Sequence, residues 1–478
     1  MEFEYIYLIE WGIRFSMGPV IVLRRGSPSA ALAWLVVVFM LPVFGTIAYF
    51  LVGESRLGVK RSSRHRDMVR RLSGVLGKTI SESYVATSDL RPSHQLISSL
   101  ASGLGGSSTV SGSELVLIQE AEDLCHRLVT DIDAATDHCH LLYYIFNNDS
   151  VGRRVGEALI RASSRGVKCR LLVDGVGSKV LFRRPLWADL RNAGVHLAIA
   201  LPVNPVRAIV ARLDLRNHRK LAVIDGRIAY TGSHNVSEAL YPKKERFGAW
   251  VDASVRVTGP AVQLLQEIFL QDWYASGAEL VLDDPFFPQI PPSSGTDVRL
   301  QILPTGPGQF DAPMEKVILQ AVHIAQRRIV MTTPYFVPDD PLVDALRAAA
   351  VRGVEVSLVL PKRSDAPVVQ AAGRARYGEL LEAGLQIFEF TRGLLHAKTI
   401  TVDGDFALIG SANLDIRSFL LNFELALLVY DDDFASRVHF LQRAYIEESD
   451  PVRYADWRRR GAWRILIDNI SKLMSPLL

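Results

Sequence analysis

The sequence predicts an α/β protein of two lobes related by a pseudo-twofold axis, preceded by an N-terminal transmembrane segment. Three observations carry that expectation. Ala30–Val52 is a run of 23 residues without a charge, AALAWLVVVFMLPVFGTIAYFLV. Two later segments of similar length repeat one succession of strand-like and helix-like runs. Each repeat holds one His-x-Lys-x4-Asp motif followed at the same offset by Gly-Ser-x-Asn.

Composition sets the outer limits. A chain of 478 residues that is 49% apolar and 22% charged can bury a large core and is not disordered in bulk. The 54 Lys and Arg nearly balance the 51 Asp and Glu, leaving +3, which argues against binding of duplex nucleic acid through overall charge and leaves local basic patches open. Cys125, Cys139 and Cys169 are far apart with no Cys-x-x-Cys, which argues against a zinc ribbon, a redox pair or a disulfide framework. Oligomeric state carries no signal in the sequence.

As one helix, the uncharged run would extend about 35 Å, enough for a bilayer core. Trp34 and Tyr49 lie near its ends, and Pro42 and Gly45 inside it are better tolerated in membrane helices. Before it, Tyr5–Leu23 is apolar apart from Glu10 and Arg14, which are four apart and can pair on one helix face. That stretch reads as a spanning or an interfacial helix. Arg56, Lys60, Arg61, Arg64, Arg66, Arg70 and Arg71 follow the run, against only Arg24 and Arg25 ahead of it. The larger cluster should stay cytoplasmic and keep the rest of the chain inside the cell. Met1–Tyr5 carries two Glu and no cation, unlike a cleaved signal peptide.

Residues 1–55 are thus the membrane segment and 56–112 a basic juxtamembrane region and linker. The Gly/Ser-rich ASGLGGSSTVSG at 101–112 reads as a loop, and a chain starting near Ser93 should carry the whole folded core. The first lobe is 113–282. A proline-rich linker follows at 283–296, where continuous helix or central strand is excluded. The second lobe is 297–478. In the first lobe LLYYIFNND leads to VGRRVGEALIRASSRGV and then KCRLLVDG. In the second, RRIVMTTPYFVPDD leads to PLVDALRAAAVRGV and then EVSLVLPK. Strands alternating with helices indicate α/β units, and a duplication brings equivalent residues to one cleft.

The motifs are His218-x-Lys220-x4-Asp225 with Gly-Ser233-x-Asn235, and His396-x-Lys398-x4-Asp403 with Gly-Ser411-x-Asn413. On a strand, residues two apart share a face, so each lobe aims an imidazole and an ammonium at one place. LAVID and TITVD are β-prone, and Asp-Gly ends each in a turn. Two His, two Lys and the Ser and Asn donors make a cationic site suited to a phosphate diester. The interleaved lysines argue against a metal site, because an ammonium repels a cation and does not coordinate it.

On these motifs the chain resembles the phospholipase D superfamily with two HKD motifs. More narrowly it resembles the bacterial membrane-bound cardiolipin synthases. The narrower likeness rests on ALAWLVVVFMLPVFGTIAYFLVGESRLG, YYIFNNDSVGRRV, RFGAWVDASVRVTGPAVQLLQEIFLQDW, LDIRSFLLNFEL and the terminal LMSPLL. The resemblance implies phospholipase D-like lobes with mixed β-sheets flanked by helices. It implies phosphatidyl transfer between two phosphatidylglycerol molecules, giving cardiolipin and glycerol through a phosphatidyl-histidine intermediate. His218 is the favoured nucleophile and His396 the acid and base, although pseudo-symmetry permits the reverse. Lys220, Lys398, Asn235 and Asn413 would hold the non-bridging oxygens, with Ser233 and Ser411 as further donors. Asp225 and Asp403 complete the motifs and are read as fixing the motif loops. Asp252 and Glu424 match the carboxylates that orient each His, expected on a later strand of the same lobe. The difference between Arg219 with His234 and the small residues of the second copy suggests nothing.

The implied partners are phospholipids and the membrane, not nucleic acid, with no cofactor and no metal. The implied place is the bacterial inner membrane, with the lobes cytoplasmic. Phosphatidylethanolamine as donor, or water as acceptor, would use the same residues. The tail from Trp457 through Leu473 is basic, aromatic and apolar, and reads either as an interfacial helix or as a helix docked on the core.

Overall fold

The computed structural model describes residues 2–23, 28–53, 59–79, 90–203, 212, 214–240, 247–281, 286–290, 298–307, 312–473 and 475. Arg24, Arg25, Arg56, most of the proline-rich linker and most of the LMSPLL terminus lie outside them.

The first lobe contributes β1 (Val110–Ile118), β2 (His138–Tyr143), β3 (Lys168–Asp174), β4 (His196–Ala200), β5 (Arg216–Asn217), β6 (Lys220–Ile224), β7 (Ile228–Gly232), β8 (Trp250–Val251) and β9 (Ser254–Thr258). The second contributes β10 (Val298–Thr305), β11 (Arg328–Thr332), β12 (Phe336–Val337), β13 (Glu355–Pro361), β14 (Gln386–Phe390), β15 (Leu394–Leu395), β16 (Thr399–Val402), β17 (Phe406–Gly410), β18 (Leu414–Asp415), β19 (Asn422–Val429) and β20 (Ser449–Pro451). The strands run β20-β14-β13-β11-β16-β17-β19-β10-β1-β9-β7-β6-β2-β3-β4 in one mixed sheet. Apart from β20, the order reads the same outward from its centre in both directions. The pseudo-twofold axis therefore passes between β1 and β10, which pair antiparallel at Val110↔Leu300 and Ser113↔Val298.

In each lobe the outer strands are parallel and joined by helices, and the inner ones form antiparallel hairpins. The buried strands are almost wholly apolar, as LLVD and LALLV show, because both faces are covered. The helices Ala261–Ala275 and Asp432–Glu447 cover the face shared by the lobes, and Trp273, Phe269, Phe434 and Leu265 fill that core. Separate cores lie under the other helices of each lobe.

The N-terminal region differs from the one or two helices expected. It forms three helices, α1 (Glu2–Val22), α2 (Pro28–Met40) and α3 (Pro42–Val52). The uncharged run breaks at Leu41, since Pro42 lacks an N–H and its ring blocks the preceding turn. The two arms fold back on each other. The rings of Trp34 and Tyr49 are 5.4 Å apart, whereas a straight helix would hold them about 22 Å apart. Gly45 permits the approach: a Cβ there would lie 2.7 Å from the Val37 carbonyl oxygen. Among the described residues no helix is long and apolar enough to cross a membrane. Glu10 and Arg14 do pair, at 3.2 Å, and Arg14 Nε also donates to the Phe39 carbonyl at 3.0 Å.

The region read as a juxtamembrane linker is part of the folded unit. The basic helix α4 (Val59–Thr79) buries Met68 and Leu72 in the central core against Ala261–Ala275. Arg64 donates to the Tyr274 carbonyl at 3.3 Å, and Arg61 lies 5.2 Å from the Phe423 ring centroid. Arg66, Arg70 and Arg71 remain exposed. The helix α5 (Pro92–Gly103) continues into the Gly/Ser-rich stretch, and β1 begins at Val110, so only 104–109 is a loop. Phe286 and Phe287, from the proline-rich linker, are buried in the core as well.

The folded unit accordingly starts at α4, not near Ser93. Leu72→Ala should destabilise the protein by about 2–5 kcal/mol, as expected for truncating a fully buried leucine. A chain starting at residue 93 should melt well below one starting at residue 59. Equal melting temperatures for the two chains in the same detergent would refute this placement of α4.

Candidate active site

Two short cross-lobe ladders deliver the motif histidines. β5 of the first lobe pairs in parallel with the start of β19 of the second, with Asn217 opposite Phe423. The next N–H, that of His218, donates to the Phe423 carbonyl at 2.9 Å. On the other side β8 of the first lobe pairs in parallel with β15 of the second. The His396 N–H then donates to the Val251 carbonyl at 2.7 Å. Each histidine hangs on a strand of the opposite lobe, one residue before that strand's carboxylate.

The side chains follow the backbone. His218 Nδ1 is 3.2 Å from Glu424 Oε1, with Asn422 Nδ2 at 3.4 Å. His396 Nδ1 is 2.6 Å from Asp252 Oδ1. The carboxylates are therefore exchanged between lobes, not paired within each lobe as expected. The sheet order explains this. Within a lobe β7 separates β6 from β9, and β17 separates β16 from β19, leaving about 10 Å between motif strand and carboxylate strand.

Ser233 and Ser411 have a different task from the one expected of them. Ser233 Oγ donates to Asp252 Oδ1 at 2.6 Å, and Ser411 Oγ donates to Glu424 Oε2 at 2.5 Å. Both hydroxyls are fully buried and are committed to the carboxylates, so they fix the bases of the two His pairs and do not face substrate. A Cβ at Gly232 or Gly410 would collide with the backbone at Ser254 or Leu425, which is why glycine precedes each serine. Asn235 Oδ1 accepts from the Ile145 N–H at 3.1 Å, and Asn413 hydrogen-bonds the buried Asp415.

Asp225 and Asp403 lie at the far ends of β6 and β16, about 16 Å along the strand from the lysines. Asp225 accepts from the N–H groups of Thr136, Asp137 and His138, and Asp403 from those of Gln326, Arg327 and Arg328. Both residues have left-handed backbones, with φ of 51° and 53°. They brace the hairpin turns, the loop-fixing role read for them, and touch neither histidine, so within the motifs they stand apart from the His and Lys pairs.

Electrostatics tie the two motifs together. Burial pushes the Lys398 ammonium down to about 7, although Asp252 opposes it, and the charge of Lys220 lowers it further. Burial likewise pushes His396 down to about 4, against the pull of Asp252 and with the push of Lys398 and Lys220. Lys220 is lowered by burial, and Glu424 and Asp252 limit the fall. Burial alone would raise both carboxyls. The facing His396, with His234 and Lys398 behind it, holds Asp252 below its ordinary range, and His218 with Lys220 does so for Glu424. One cluster of charges thus spans both lobes.

The two halves are not equivalent. Lys398 Nζ is 2.9 Å from His396 Nε2, whereas among the described residues nothing hydrogen-bonds His218 Nε2. The His218 side chain is 20% exposed and that of His396 10%. Tyr144 packs on His218 with ring centroids 4.1 Å apart, and Trp250 on His396 at 4.3 Å. Sequence reasoning missed these two aromatics, and it missed Arg219. Arg219 is wholly buried and donates to the Glu424 carbonyl at 3.0 Å, the Thr305 carbonyl at 2.9 Å and Asp272 Oδ2 at 2.9 Å. It clamps the strand that presents Glu424. Its charge at a position where the second copy has Ala397 was the available signal.

The arrangement offers two imidazoles, each oriented through Nδ1, beside two ammonium groups. It can supply a nitrogen nucleophile, a proton carrier and anion stabilisation without further parts. Among the described residues no group of three or more His, Cys, Asp or Glu is placed to hold a metal ion.

Comparison with known proteins agrees with this geometry. A family profile described as "Cardiolipin synthase, PLD-like domain" matches residues 128–273 and 318–441. A second, described as "Phospholipase_D-nuclease N-terminal", matches residues 20–54. Cardiolipin synthase A of Serratia proteamaculans (strain 568) is 36% identical over 460 residues, covering 96% of this chain and 95% of that protein. Cardiolipin synthase A of Erwinia tasmaniensis is 38% identical over the same coverage. The phosphatidylserine synthase of Haemophilus influenzae Rd KW20 shares the fold, with a TM-score of 0.57 over 76% of this chain and 95% of that one, at 13% identity. The duplicated motifs, the shared site and these full-length relatives place the chain in the phospholipase D superfamily, as a member of its cardiolipin synthase family.

Proposed function

We propose that the protein transfers a phosphatidyl group from one phosphatidylglycerol to another, forming cardiolipin and releasing glycerol. The observation that carries this reading is the pair of crossed His–carboxylate contacts in one cationic cluster, in a chain similar along its length to cardiolipin synthases.

His218 Nε2, which has no hydrogen bond among the described residues, attacks phosphorus. The P–O bond to the headgroup glycerol breaks as the N–P bond forms. His396 donates its proton to the departing alkoxide. The bound phosphodiester anion raises His396 from its low value in the empty site, and so favours the protonated imidazole needed for that step. His396 then takes the proton of the second phosphatidylglycerol hydroxyl. Its oxygen forms the new P–O bond, and the N–P bond to His218 breaks. Lys220 and Lys398 balance the charge on the non-bridging oxygens throughout, with Asn235 and Asn413 as further donors. Water as acceptor, or phosphatidylethanolamine as donor with its ethanolamine headgroup leaving, would follow the same steps. Labelled phosphatidylglycerol, with cardiolipin plus glycerol read against phosphatidic acid, distinguishes them. Phosphatidic acid as the dominant product in vesicles would overturn the transferase reading.

The helices α1–α3 support attachment to the bacterial inner membrane. Leu8, Phe15, Val36, Phe39, Met40, Leu41, Phe44, Ile47 and Phe50 are all exposed on them. The exposed cations of α4 suit the anionic cytoplasmic leaflet, which supports a cytoplasmic position for the lobes.

Three outcomes test the chemistry. His218→Ala and His396→Ala should each lower transfer by about 10²–10⁴-fold in folded protein. Because the carboxylates are exchanged, Glu424→Ala should impair formation of the His218 adduct, and Asp252→Ala the proton transfers of His396. With a substrate whose leaving group needs no proton, such as a phosphatidyl nitrophenol, Glu424→Ala should still slow the single-turnover burst, whereas Asp252→Ala should leave it nearly intact. Near-normal turnover in either His variant would sink the shared-site mechanism.

Lys398 loses its proton as pH rises through about 7 in the empty site. Substrate binding needs the cation, so kcat/KM for dispersed phosphatidylglycerol should fall as pH rises above that value. Lys398→Arg should flatten this limb at a reduced rate. A profile of the unaltered enzyme that stays level from about pH 6 to 9 would contradict the assignment.

Turnover should survive EDTA, because Lys220 and Lys398 occupy the place where a metal would supply positive charge. Complete loss, restored by one divalent ion alone, would refute this.

A further inference from the structure

The helix Ala462–Leu473 is amphipathic, but it is mounted inside out. Its polar Asp468 and Ser471 are buried, whereas Trp463, Leu466, Ile467, Ile470 and Leu473 are exposed. Trp463 is 72% exposed and Leu473 81%. These positions follow the i, i+3, i+4, i+7 spacing and form one stripe on the outer face. A helix that served only to close the core would have the opposite rotation.

The rotation is set by specific contacts. Asp468 Oδ2 accepts from Arg460 Nη1 at 2.6 Å. The Arg460 guanidinium lies 3.4 Å from the Trp457 ring centroid, and Trp457 stacks on Tyr377 of the helix Pro367–Glu382 at 4.9 Å. A second tie, Lys472 to Glu379, is 3.9 Å long. Burying a carboxylate is tolerable only because Arg460 pairs with it. The fold thus commits a buried ion pair to hold an apolar stripe toward the outside.

Charge identifies what covers the stripe. Between Arg453 and Leu473 there are six Lys and Arg against two Asp. Arg458, Arg459 and Arg464 are exposed beside the stripe. An apolar face bordered by cations, with a tryptophan at one end, matches the interface of an anionic bilayer. A second copy of the chain would present the same cations, and like charges would meet.

We infer that the helix Ala462–Leu473 is a second membrane contact, through which the second lobe lies on anionic lipid independently of the N-terminal helices. This rests on the proposal that the substrates are bilayer lipids. It extends that proposal: the chain is held at both ends, with the shared cleft between two lipid-bound regions.

The test uses the full chain with Ile467→Cys carrying an environment-sensitive fluorophore. The three native cysteines are buried, so labelling is selective. With phosphatidylglycerol vesicles the fluorescence should shift to the blue and be quenched by lipids brominated along the acyl chain. With phosphatidylcholine vesicles both effects should be several-fold smaller, because the cationic border loses its partner. Emission that stays water-like in phosphatidylglycerol vesicles would overturn the inference. So would shielding that appears in detergent without lipid together with cross-linking between copies, which would show a second chain on the stripe. The readout is independent of the reaction product, so it stands apart from a failure of the transferase reading. As a second measurement, Ile467→Glu with Ile470→Glu should raise KM for vesicle substrate at least about fivefold and leave turnover of short-chain, monomeric phosphatidylglycerol unchanged. Equal losses on both substrates would point to a folding role and overturn it as well.

Discussion

The structure depends on the exchange of carboxylates between lobes. Each lobe folds its own motif hairpin, yet neither lobe holds the acid that orients its own histidine. His218 relies on Glu424 and His396 on Asp252, each approached through a backbone hydrogen bond to the neighbouring residue of the other lobe. A histidine needs one nitrogen fixed for the other to act in a defined tautomer. Here that condition is met only when both lobes are assembled, so the continuous sheet across β1 and β10 is a requirement of the chemistry as well as of stability.

Around this exchange the remaining groups support the pairs. The serines of Gly-Ser-x-Asn hold the carboxylates, and the glycines before them allow the backbones to come close. Arg219 ties the Glu424 strand to Thr305 and Asp272, and Asn217 reaches the same aspartate at 3.0 Å. The basic helix α4 closes the assembly from outside, with Arg61 and Arg219 near the same Phe423 ring, at 5.2 and 5.5 Å. The helix that follows the N-terminal helices is therefore in contact with the strand that positions His218. Asymmetry enters at this point: the first motif is braced by an arginine and the second by the direct Lys398–His396 contact.

The N-terminal helices and the terminal helix share a physical theme. In both, large apolar side chains are left bare while internal contacts fix which face is bare. Pro42 and Gly45 turn one apolar run into two packed arms, and Arg460 with Asp468 sets the rotation of the last helix. An enzyme that joins two lipids benefits from a cleft held against the surface where both substrates reside, since a water-poor site favours a lipid alcohol over water as acceptor.

Much was legible in the sequence because it lies in local or repeated patterns. The α/β class, the two lobes and the paired motifs follow from spacing and duplication, and the histidines, lysines, Asp252 and Glu424 that spacing and resemblance singled out lie together in the structure. Strand periodicity places His218 beside Lys220, and duplication implies a shared cleft. What only the tertiary structure decided are the contacts made across sequence separations of 140 to 210 residues, where no spacing rule reaches. These are the crossed carboxylate contacts; over much shorter separations the structure also turned Ser233 and Ser411 toward those carboxylates, a choice of partner that spacing leaves open. The same limit applies to the apolar run. Its length and lack of charge indicated one long helix, but whether a proline inside it bends or reverses the chain is settled by what the two arms can pack against. The terminal helix shows the point most directly: its amphipathic pattern was visible, but which face it buries depends on Arg460, Trp457 and Tyr377 meeting in space.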